Sequence, residues 1–258
     1  MAAPKQQGFL QLSGGSLGKT TFVKDKNGYR AQEKKVQNST KFKQSRKYER
    51  TRENCEEFGS ASTCAKLIRQ SVASLIGPRT DAEVSNNLVS SLSKVIKLDA
   101  VSEPGKRMPT PGKITLLNGF NMNSSSSLKN VFNSRFRIMA DWETGKFGLL
   151  IPSFIPVDRI KAPRGTTHFM VLSGCSSIDF ASNTLQRKDF RSELIRWDDI
   201  ATTEIMVSHT FPENNLHTIF QFLGLEFYQV TPAGILPVSG KMKDPLCIVY
   251  IGTEPNVI

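Results

Sequence analysis

Residues 58–78 read FGSASTCAKLIRQSVASLIGP, and this stretch predicts the first helix of the fold. Its apolar residues recur at alternating intervals of three and four positions, as on one face of an α-helix. This helix seam consists of Phe58, Ala61, Ala65, Ile68, Val72 and Leu75. Gly77 and Pro78 end the pattern, because glycine accepts the left-handed conformation of a helix stop and proline cannot continue the hydrogen-bond ladder. We predict a helix over residues 45–76 with this seam buried.

A second helix follows directly. Thr80 and Glu83 have the spacing of a capping box, in which the two side chains satisfy free amides at a helix start. Residues 84, 88, 92 and 95 are Val, Leu, Leu and Val, which gives this helix its own apolar stripe to about residue 98. The two elements predict a helical hairpin.

The chain changes character after the second helix. Residues 99–112 contain three prolines and two glycines, a density that predicts a linker. Beyond it the helical period stops and short β-prone runs recur, at residues 114–120, 132–142, 146–154, 168–173, 203–211, 218–230, 235–238 and 246–251. Residues 132–142 alternate between apolar and polar side chains, which predicts a half-buried antiparallel strand. Residues 124–127 and 187–197 read instead as loops or a short helix. These runs predict an antiparallel β-sandwich of Ig-like or jelly-roll type.

The front of the chain indicates a β-hairpin. A glycine-rich segment separates two β-prone runs, and Asn27-Gly28 is a strong signal for a two-residue turn. A hairpin of this size cannot bury a core alone, so we expect it to lean on the rest of the chain or on another copy. The residues expected to form this assembly hairpin are Phe9, Leu12, Phe22, Val23, Asn27, Gly28 and Tyr29.

The predicted fold class is therefore α+β, in four parts. These are a basic β-hairpin arm at 1–44, a helical hairpin at 45–98, a linker at 99–112 and a β-sandwich domain at 113–258.

Charge is distributed unevenly along the chain. The protein has 34 Lys and Arg against 23 Asp and Glu, a net charge of +11. Residues 1–80 hold 16 of these cations and 6 of the anions, whereas the remaining residues are almost neutral. The densest run consists of Lys34, Lys35, Lys41, Lys43, Arg46, Lys47, Arg50 and Arg52, with Tyr29, Phe42 and Tyr48 nearby as aromatic residues that could stack. Such a run suits an anionic partner: nucleic acid, a membrane surface or an acidic face of a neighbouring subunit. A solvated face without a partner is the plain alternative.

No catalytic, cofactor or metal site emerges from the sequence. The four cysteines and three histidines are scattered without the spacing of a zinc site. Residues 13–20, SGGSLGKT, resemble a phosphate-binding loop, but Ser13 stands where the pattern needs glycine. The following Thr-Thr-Phe-Val is β-prone, whereas that loop must open a helix. We therefore predict that the protein is not an enzyme and holds no cofactor or metal.

The sequence contains no run of eighteen apolar residues and its start lacks the apolar centre of a secretory signal. We expect synthesis in the cytoplasm without a membrane span, with release in an assembled particle as a further possibility.

Three segments resemble an uncharacterised family of Gram-negative bacterial proteins of similar length. They are residues 17–34, LGKTTFVKDKNGYRAQEK, residues 50–59, RTRENCEEFG, and residues 227–230, FYQV. Members of that family begin with a glycine-rich hairpin carrying G-x-T-F-x-K and G-Y-x-A, continue with R-T-R-E-N-x-x-E-F-G, and finish in a β-rich half. The family has no assigned activity, so the resemblance implies a layout and a defined basic front module, and no catalytic residues.

Two hypotheses about function follow. The first is a structural, self-assembling subunit of a filament, tube or shell, in which the hairpin and the helix contact neighbouring copies and the partner is the protein itself in an open-ended or high-order homo-oligomer. The second is a protein that binds nucleic acid or another polyanion through residues 34–52.

Overall fold

The structure, a computed structural model, describes residues 15–17, 19–25, 28–33, 39–76, 82–213, 217–238 and 244–253. The chain divides into two compact units, Met1–Arg50 and Thr51–Ile258. Helices and antiparallel strands both make up the described residues, so the fold is α+β, as the sequence predicts.

The helices are α1 (Ser39–Gln44), α2 (Glu49–Ser71), α3 (Ala73–Ile76), α4 (Ala82–Ile96), α5 (Leu128–Val131) and α6 (Pro156–Arg159), with 3₁₀ turns at Arg46–Tyr48 and Ile114–Leu117. The strands are β1 (Gly15–Leu17), β2 (Thr20–Asp25), β3 (Gly28–Glu33), β4 (Arg137–Asp141), β5 (Lys146–Ile151), β6 (His168–Asp179), β7 (Thr184–Arg191), β8 (Ile195–Arg196), β9 (Ile205–Thr210), β10 (Thr218–Thr231), β11 (Gly234–Pro237) and β12 (Leu246–Gly252).

The centre of the second unit is a six-stranded antiparallel sheet. Its order is β11-β10-β6-β7, with β12 also paired to β10 and β8 to β6. The two longest strands, β6 and β10, pair with each other from His168 opposite Tyr228 to Ile178 opposite Thr218. A smaller sheet of order β4-β5-β9 belongs to the same unit.

Both faces of the central sheet are covered. On one face, Leu172, Ile178, Phe220 and Phe222 share an apolar core with residues of α2 and α4 such as Ile68 and Leu88. On the other face, the alternate residues Phe169, Val171, Leu223 and Leu225 pack with Leu149, Ile151 and Val207 of the small sheet. Because successive residues of a strand point to opposite faces, β6 and β10 are buried at consecutive positions along most of their length. The unit therefore has three layers: helices, central sheet and small sheet.

The predicted helix seam faces this core, with one exception. Ala61, Ala65, Ile68, Val72 and Leu75 are all buried, whereas Phe58 is 61% exposed. The prediction of burial is wrong for Phe58, because this part of α2 has only Glu57 buried and the apolar layer begins one turn later, at Ala61.

A glycine lies where helix and sheet come close. A Cβ atom added to Gly174 of β6 would lie 2.9 Å from Leu75 Cδ1, so a larger residue there would require the Leu75 side chain to shift. Two arginines of β7 hold the same contact from the side: Arg187 Nη1 donates to the Gln70 carbonyl at 2.7 Å and Arg191 Nη2 to the Ser74 carbonyl at 2.8 Å. Cations at these carbonyls satisfy the open end of α2 and the following turn.

The segment predicted as a linker, residues 99–112, lies within the second unit and is tied to it by two buried carboxylates. Asp99 accepts the N–H groups of Val101, Ser102 and Met108 at 2.9–3.0 Å. Glu57 of α2 accepts the Gly105 N–H at 3.0 Å and lies 3.6 Å from Arg107 Nη1. The helices before this segment and the strands after it share one apolar core.

Three local predictions about the β-rich half differ from the structure. Residues 132–142 form a strand only at β4, since Phe132 makes an isolated bridge to Ile160 and is buried there. Residues 114–117 form a 3₁₀ turn beside β12. Residues 187–197 contain most of β7 and all of β8. The sequence predicted a loop or short helix there because an edge strand with exposed charged side chains has the polar composition of a loop.

We predict that Ile68→Asp destabilises the protein by about 3–5 kcal/mol, because it places an unpaired charge in the core and removes apolar contacts. Denaturant unfolding followed by circular dichroism measures the change. Phe58→Asp on the same helix is the control and should cost little, because Phe58 is mostly exposed. Equal losses of stability for the two variants would contradict the placement of the seam.

Asp99 supplies a pH-dependent contribution to stability. Burial opposes its ionisation, but the hydrogen bonds from Met108, Ser102 and Val101 outweigh burial, so the pKa of Asp99 lies well below its ordinary value. A carboxylate with a lower pKa in the folded state stabilises the fold above its unfolded pKa of about 3.9, and this contribution is lost as the pH falls further.

We therefore predict that Asp99→Asn costs about 2 kcal/mol at pH 7 and progressively less below pH 4. Urea unfolding at pH 7 and pH 3 measures the difference from the parent protein. The exposed Asp199→Asn is the control and should change stability little at either pH. A cost of Asp99→Asn that is the same at both pH values would be inconsistent with an ionised Asp99.

Candidate functional site

The candidate site in the first unit is a three-stranded antiparallel sheet of order β1-β2-β3. Thr20, Thr21 and Val23 favour an extended chain in the central strand β2, because branching at Cβ restricts the side chain and suits a strand. Strand β2 pairs with β1 from Phe22 opposite Gly15 and with β3 along its whole length.

The strand pairing of this hairpin differs from the prediction at Gly28. Gly28, expected as a central residue of the turn, is already a residue of β3 and pairs with Asp25. The register is set by the pairing of two six-residue strands, which places Arg30 opposite Val23. Among the other predicted hairpin residues, Phe22 and Val23 lie on β2 and Tyr29 on β3, whereas Phe9, Leu12 and Asn27 are outside the described residues.

The outer edge of β3 is open in the part of the chain that the structure describes, because β3 pairs there with β2 alone. The side chains from Arg30 to Glu33 on this strand are all exposed. An edge of this kind presents free backbone N–H and C=O groups to any neighbouring strand.

The first unit has no buried side chain among those described. Phe22, Phe42 and Tyr48 are its half-buried aromatic residues, and the cations around them are exposed. The three apolar core clusters of the described chain all consist of residues from Ala61 onwards. The β1-β2-β3 sheet and the short helical elements that follow it therefore have no apolar core of their own within the described residues.

The described residues of the predicted basic run lie on helical elements. Lys41 and Lys43 belong to α1, Arg46 and Lys47 to the following 3₁₀ turn, and Arg50 and Arg52 to α2. All of these are exposed except Arg52, which is half-buried, and Lys34 and Lys35 lie outside the described residues.

The aromatic residues of this run contact each other. The rings of Phe42 and Tyr48 lie 5.6 Å apart at a tilt of 47°, so they brace α1 against the turn. Both are half-buried, which leaves each only partly available to stack on a base as the sequence suggested.

The structure after Lys19 does not match that of a phosphate-binding loop. Thr20 begins strand β2, and a strand start offers no set of helix N-terminal amides to a phosphate. The motif therefore lacks its structural context.

The structure brings together two serine–histidine contacts that sequence reasoning missed. Ser173 Oγ lies 3.2 Å from His209 Nε2 and joins β6 to β9, with both side chains buried. Burial lowers the pKa of His209, so the ring is neutral near pH 7. Ser177 Oγ lies 3.4 Å from His217 Nδ1, and His217 Nε2 lies 4.0 Å from Asp179.

These contacts do not form an accessible nucleophile. Ser173 and Ser177 are each 1% exposed, and a catalytic serine must reach its substrate. The residues are 36 and 40 positions apart along the chain, so no local sequence pattern could have indicated them.

The four cysteines are free, and three are buried. Burial raises the pKa of Cys64 and Cys247 to about 11, and that of Cys175 further. Thiols with raised pKa values are poor nucleophiles at neutral pH. Among the described residues, no group of three or more His, Cys, Asp or Glu side chains could hold a metal ion.

None of the helices in the described ranges combines the length and the apolar composition needed to cross a membrane.

Comparisons of the chain with protein-family models, with curated proteins and with solved structures found no match. The main features of the candidate site are an open sheet edge, exposed cations and, among the described residues of the first unit, no apolar core.

Proposed function

We propose that the protein is a structural, self-assembling subunit of a filament, tube or shell, and that its N-terminal sheet joins one copy to the next. One observation carries the proposal: no described side chain of residues 15–50 is buried, although these residues form a sheet and helices. Ordering a residue costs about 1–2 kcal/mol of backbone entropy, which apolar burial normally offsets. A neighbouring copy would supply that burial.

The edge of β3 supports strand addition as the mode of contact. Strand addition provides backbone hydrogen bonds from a neighbour and turns a marginal three-stranded sheet into a larger one. Glu33 is exposed on this edge, so an incoming strand with a cation opposite it would be held in register.

The helix seam plays no part in this proposal. The buried seam residues from Ala61 to Leu75 pack in the core of their own chain, so a neighbouring copy has no access to them. We therefore assign the inter-subunit contacts to the N-terminal sheet and not to this helix.

Binding of nucleic acid or another polyanion through residues 34–52 is the second candidate. Charge favours it: residues 1–50 contain 12 Lys and Arg against 3 Asp and Glu, so this unit holds +9 of the net +11. The concentration of charge in a separate unit supports an electrostatic role, whether the partner is nucleic acid or an acidic surface of another copy.

Two finer proposals accompany the function. The apolar cluster that the two sheets share supports the description of the β-rich half as an Ig-like or jelly-roll sandwich. Neither of these architectures has a layer of helices on one of its sheets, as the central sheet has here. Cytoplasmic synthesis, with release in an assembled particle, rests on the sequence alone.

We predict that removal of residues 1–35 abolishes higher-order species while residues 51–258 stay folded, because the deletion removes the edge strands and leaves the core intact. Analytical ultracentrifugation measures particle size and circular dichroism checks the fold. A second variant, in which a Gly/Ser segment of equal length replaces residues 15–33, should also fail to assemble. If either variant sediments like the parent, the sheet is not the assembly contact.

A charge reversal separates the two candidates. The variant combines Lys41→Glu, Lys43→Glu, Arg46→Glu and Lys47→Glu. If this run binds nucleic acid, the parent's affinity should fall roughly a thousandfold between 50 and 200 mM salt for six or more phosphate contacts, and the variant should lose binding while keeping its oligomer size.

If the run contacts an acidic face of another copy, the same variant should fall apart, and the purified parent should carry no nucleic acid by its ultraviolet absorbance ratio. The control reverses Lys94, Lys97 and Lys113, which are exposed in the second unit. A charge-reversed variant that keeps both its assembly state and the parent's polyanion affinity would leave the run as a solvated face.

A further inference from the structure

A second basic surface lies on the body of the protein, where two chain segments meet beside the small sheet. Phe132 and Ile160 form an antiparallel bridge. Next to it, the Asn133 N–H donates to the Arg159 carbonyl at 2.8 Å and the Lys161 N–H to the Val131 carbonyl at 2.9 Å. Phe132 and Ile160 are buried in the core that the two sheets share, so the backbone of both segments is firmly held.

Cations cover the outside of these segments. All six are exposed: Lys129, Arg135, Arg137, Arg159, Lys161 and Arg164, here called the body basic surface. Residues 129–137 contain no Asp or Glu, and Asp158 is the single acidic residue of 158–164.

This surface accounts for the positive charge of the second unit. Residues 51–258 contain 22 Lys and Arg against 20 Asp and Glu. Without the six cations and Asp158, 16 cations would face 19 anions, a net charge of −3. Positive charge is therefore gathered in one region of an otherwise slightly acidic body.

None of the six side chains has an ion pair with another described residue. By contrast, Arg187 and Arg191 of the same unit are engaged by helix carbonyls and a glutamate. Several uncompensated like charges on neighbouring segments repel one another, and a bound polyanion would relieve that repulsion.

An aromatic residue next to the surface indicates the kind of polyanion. The Trp197 Nε1–H donates to the Ile160 carbonyl at 3.2 Å, and one side of the half-buried indole packs against the core that the two sheets share, which holds the ring beside the cations with part of it exposed. Bases of single strands stack on aromatic rings while cations contact the phosphates. Asp158 and Asp198 border the surface on one side, where the Val157 N–H donates to the Asp198 carbonyl at 3.2 Å. We therefore expect a phosphate chain to begin at Trp197 and to follow the side of the surface that is opposite these carboxylates.

We propose that the body basic surface binds single-stranded nucleic acid, with its cations on the phosphates and Trp197 stacked on a base. This role does not depend on assembly through the N-terminal sheet. It also differs from binding through residues 34–52, because the cations concerned belong to the second unit.

The experiment measures fluorescence anisotropy of a labelled 30-nucleotide oligo(dT) and of a duplex of equal length with the full chain. The surface variant combines Arg159→Glu, Lys161→Glu and Arg164→Glu, and the matched control reverses Lys94, Lys97 and Lys113. Both are also made in the background of the reversed Lys41, Lys43, Arg46 and Lys47, which removes any contribution of the N-terminal run.

We expect the surface variant to bind oligo(dT) about tenfold or more weakly at 100 mM salt, and its salt slope to fall by about 2, as for three lost single-strand phosphate contacts. The control should retain the parent's affinity. Both sets of charges are exposed, so melting temperatures should stay close to that of the parent.

A second readout tests the stacking. In a Trp142→Phe background, Trp197 is the remaining tryptophan, and its emission should be quenched when oligo(dT) binds. The proposal is overturned if the parent binds no oligonucleotide, if the surface variant keeps the parent's affinity, or if the control loses as much. Equal affinity for the duplex without quenching would overturn the assignment to single strands.

Discussion

The pairing of β6 with β10 is the constraint on which the rest of the second unit depends. These strands run side by side from His168 and Tyr228 to Ile178 and Thr218, and their residues are buried on both faces for most of that length. A sheet with two apolar faces must be covered twice. The helices α2 and α4 cover one face, and the small sheet covers the other.

Other features of the unit serve this double covering. Gly174 leaves room for the Leu75 side chain of α3, and Arg187 and Arg191 bind the carbonyls of the helical segment that ends there. On the opposite face, the contact between Ser173 and His209 satisfies two buried polar groups where the sheets meet. Asp99 and Glu57 then fix the loop that leads from the helices to the strands. Buried polar groups in this unit are thus used mainly to hold layers and loops together.

The first unit differs from the second, because none of its described side chains is buried in an apolar core. It has regular secondary structure, most of the net charge and no buried side chain among those described. Apolar burial within the described chain therefore cannot account for its order. This contrast underlies the proposal that neighbouring copies complete it. The body basic surface adds a second charged region, built on a backbone that the core does hold.

Features that depend on local sequence could be predicted. The seam from Ala61 to Leu75 was readable because the helical period is a local property, and the concentration of cations in residues 1–80 is a matter of composition. Most of the strands were readable in the same way, from short β-prone runs separated by turns. The α+β class follows from these patterns. Only the tertiary structure decided how far each pattern is buried: Phe58 continues the seam in sequence but lies beyond the layer that covers it.

The remaining features depend on residues far apart in the chain. The edge strand β7 has the composition of a loop, and it becomes a strand because β6 offers it hydrogen bonds. The pairing of residues 131–133 with 159–161 gathers cations that the sequence keeps apart. The Pro- and Gly-rich segment 99–112 reads as a linker because its local composition disfavours helix and strand. In the structure, hydrogen bonds from its backbone N–H groups to Glu57 and Asp99 hold it in place. The sequence by itself determined local periodicity and charge, whereas long-range pairing and burial were decided by the tertiary structure, because both depend on the simultaneous placement of distant segments.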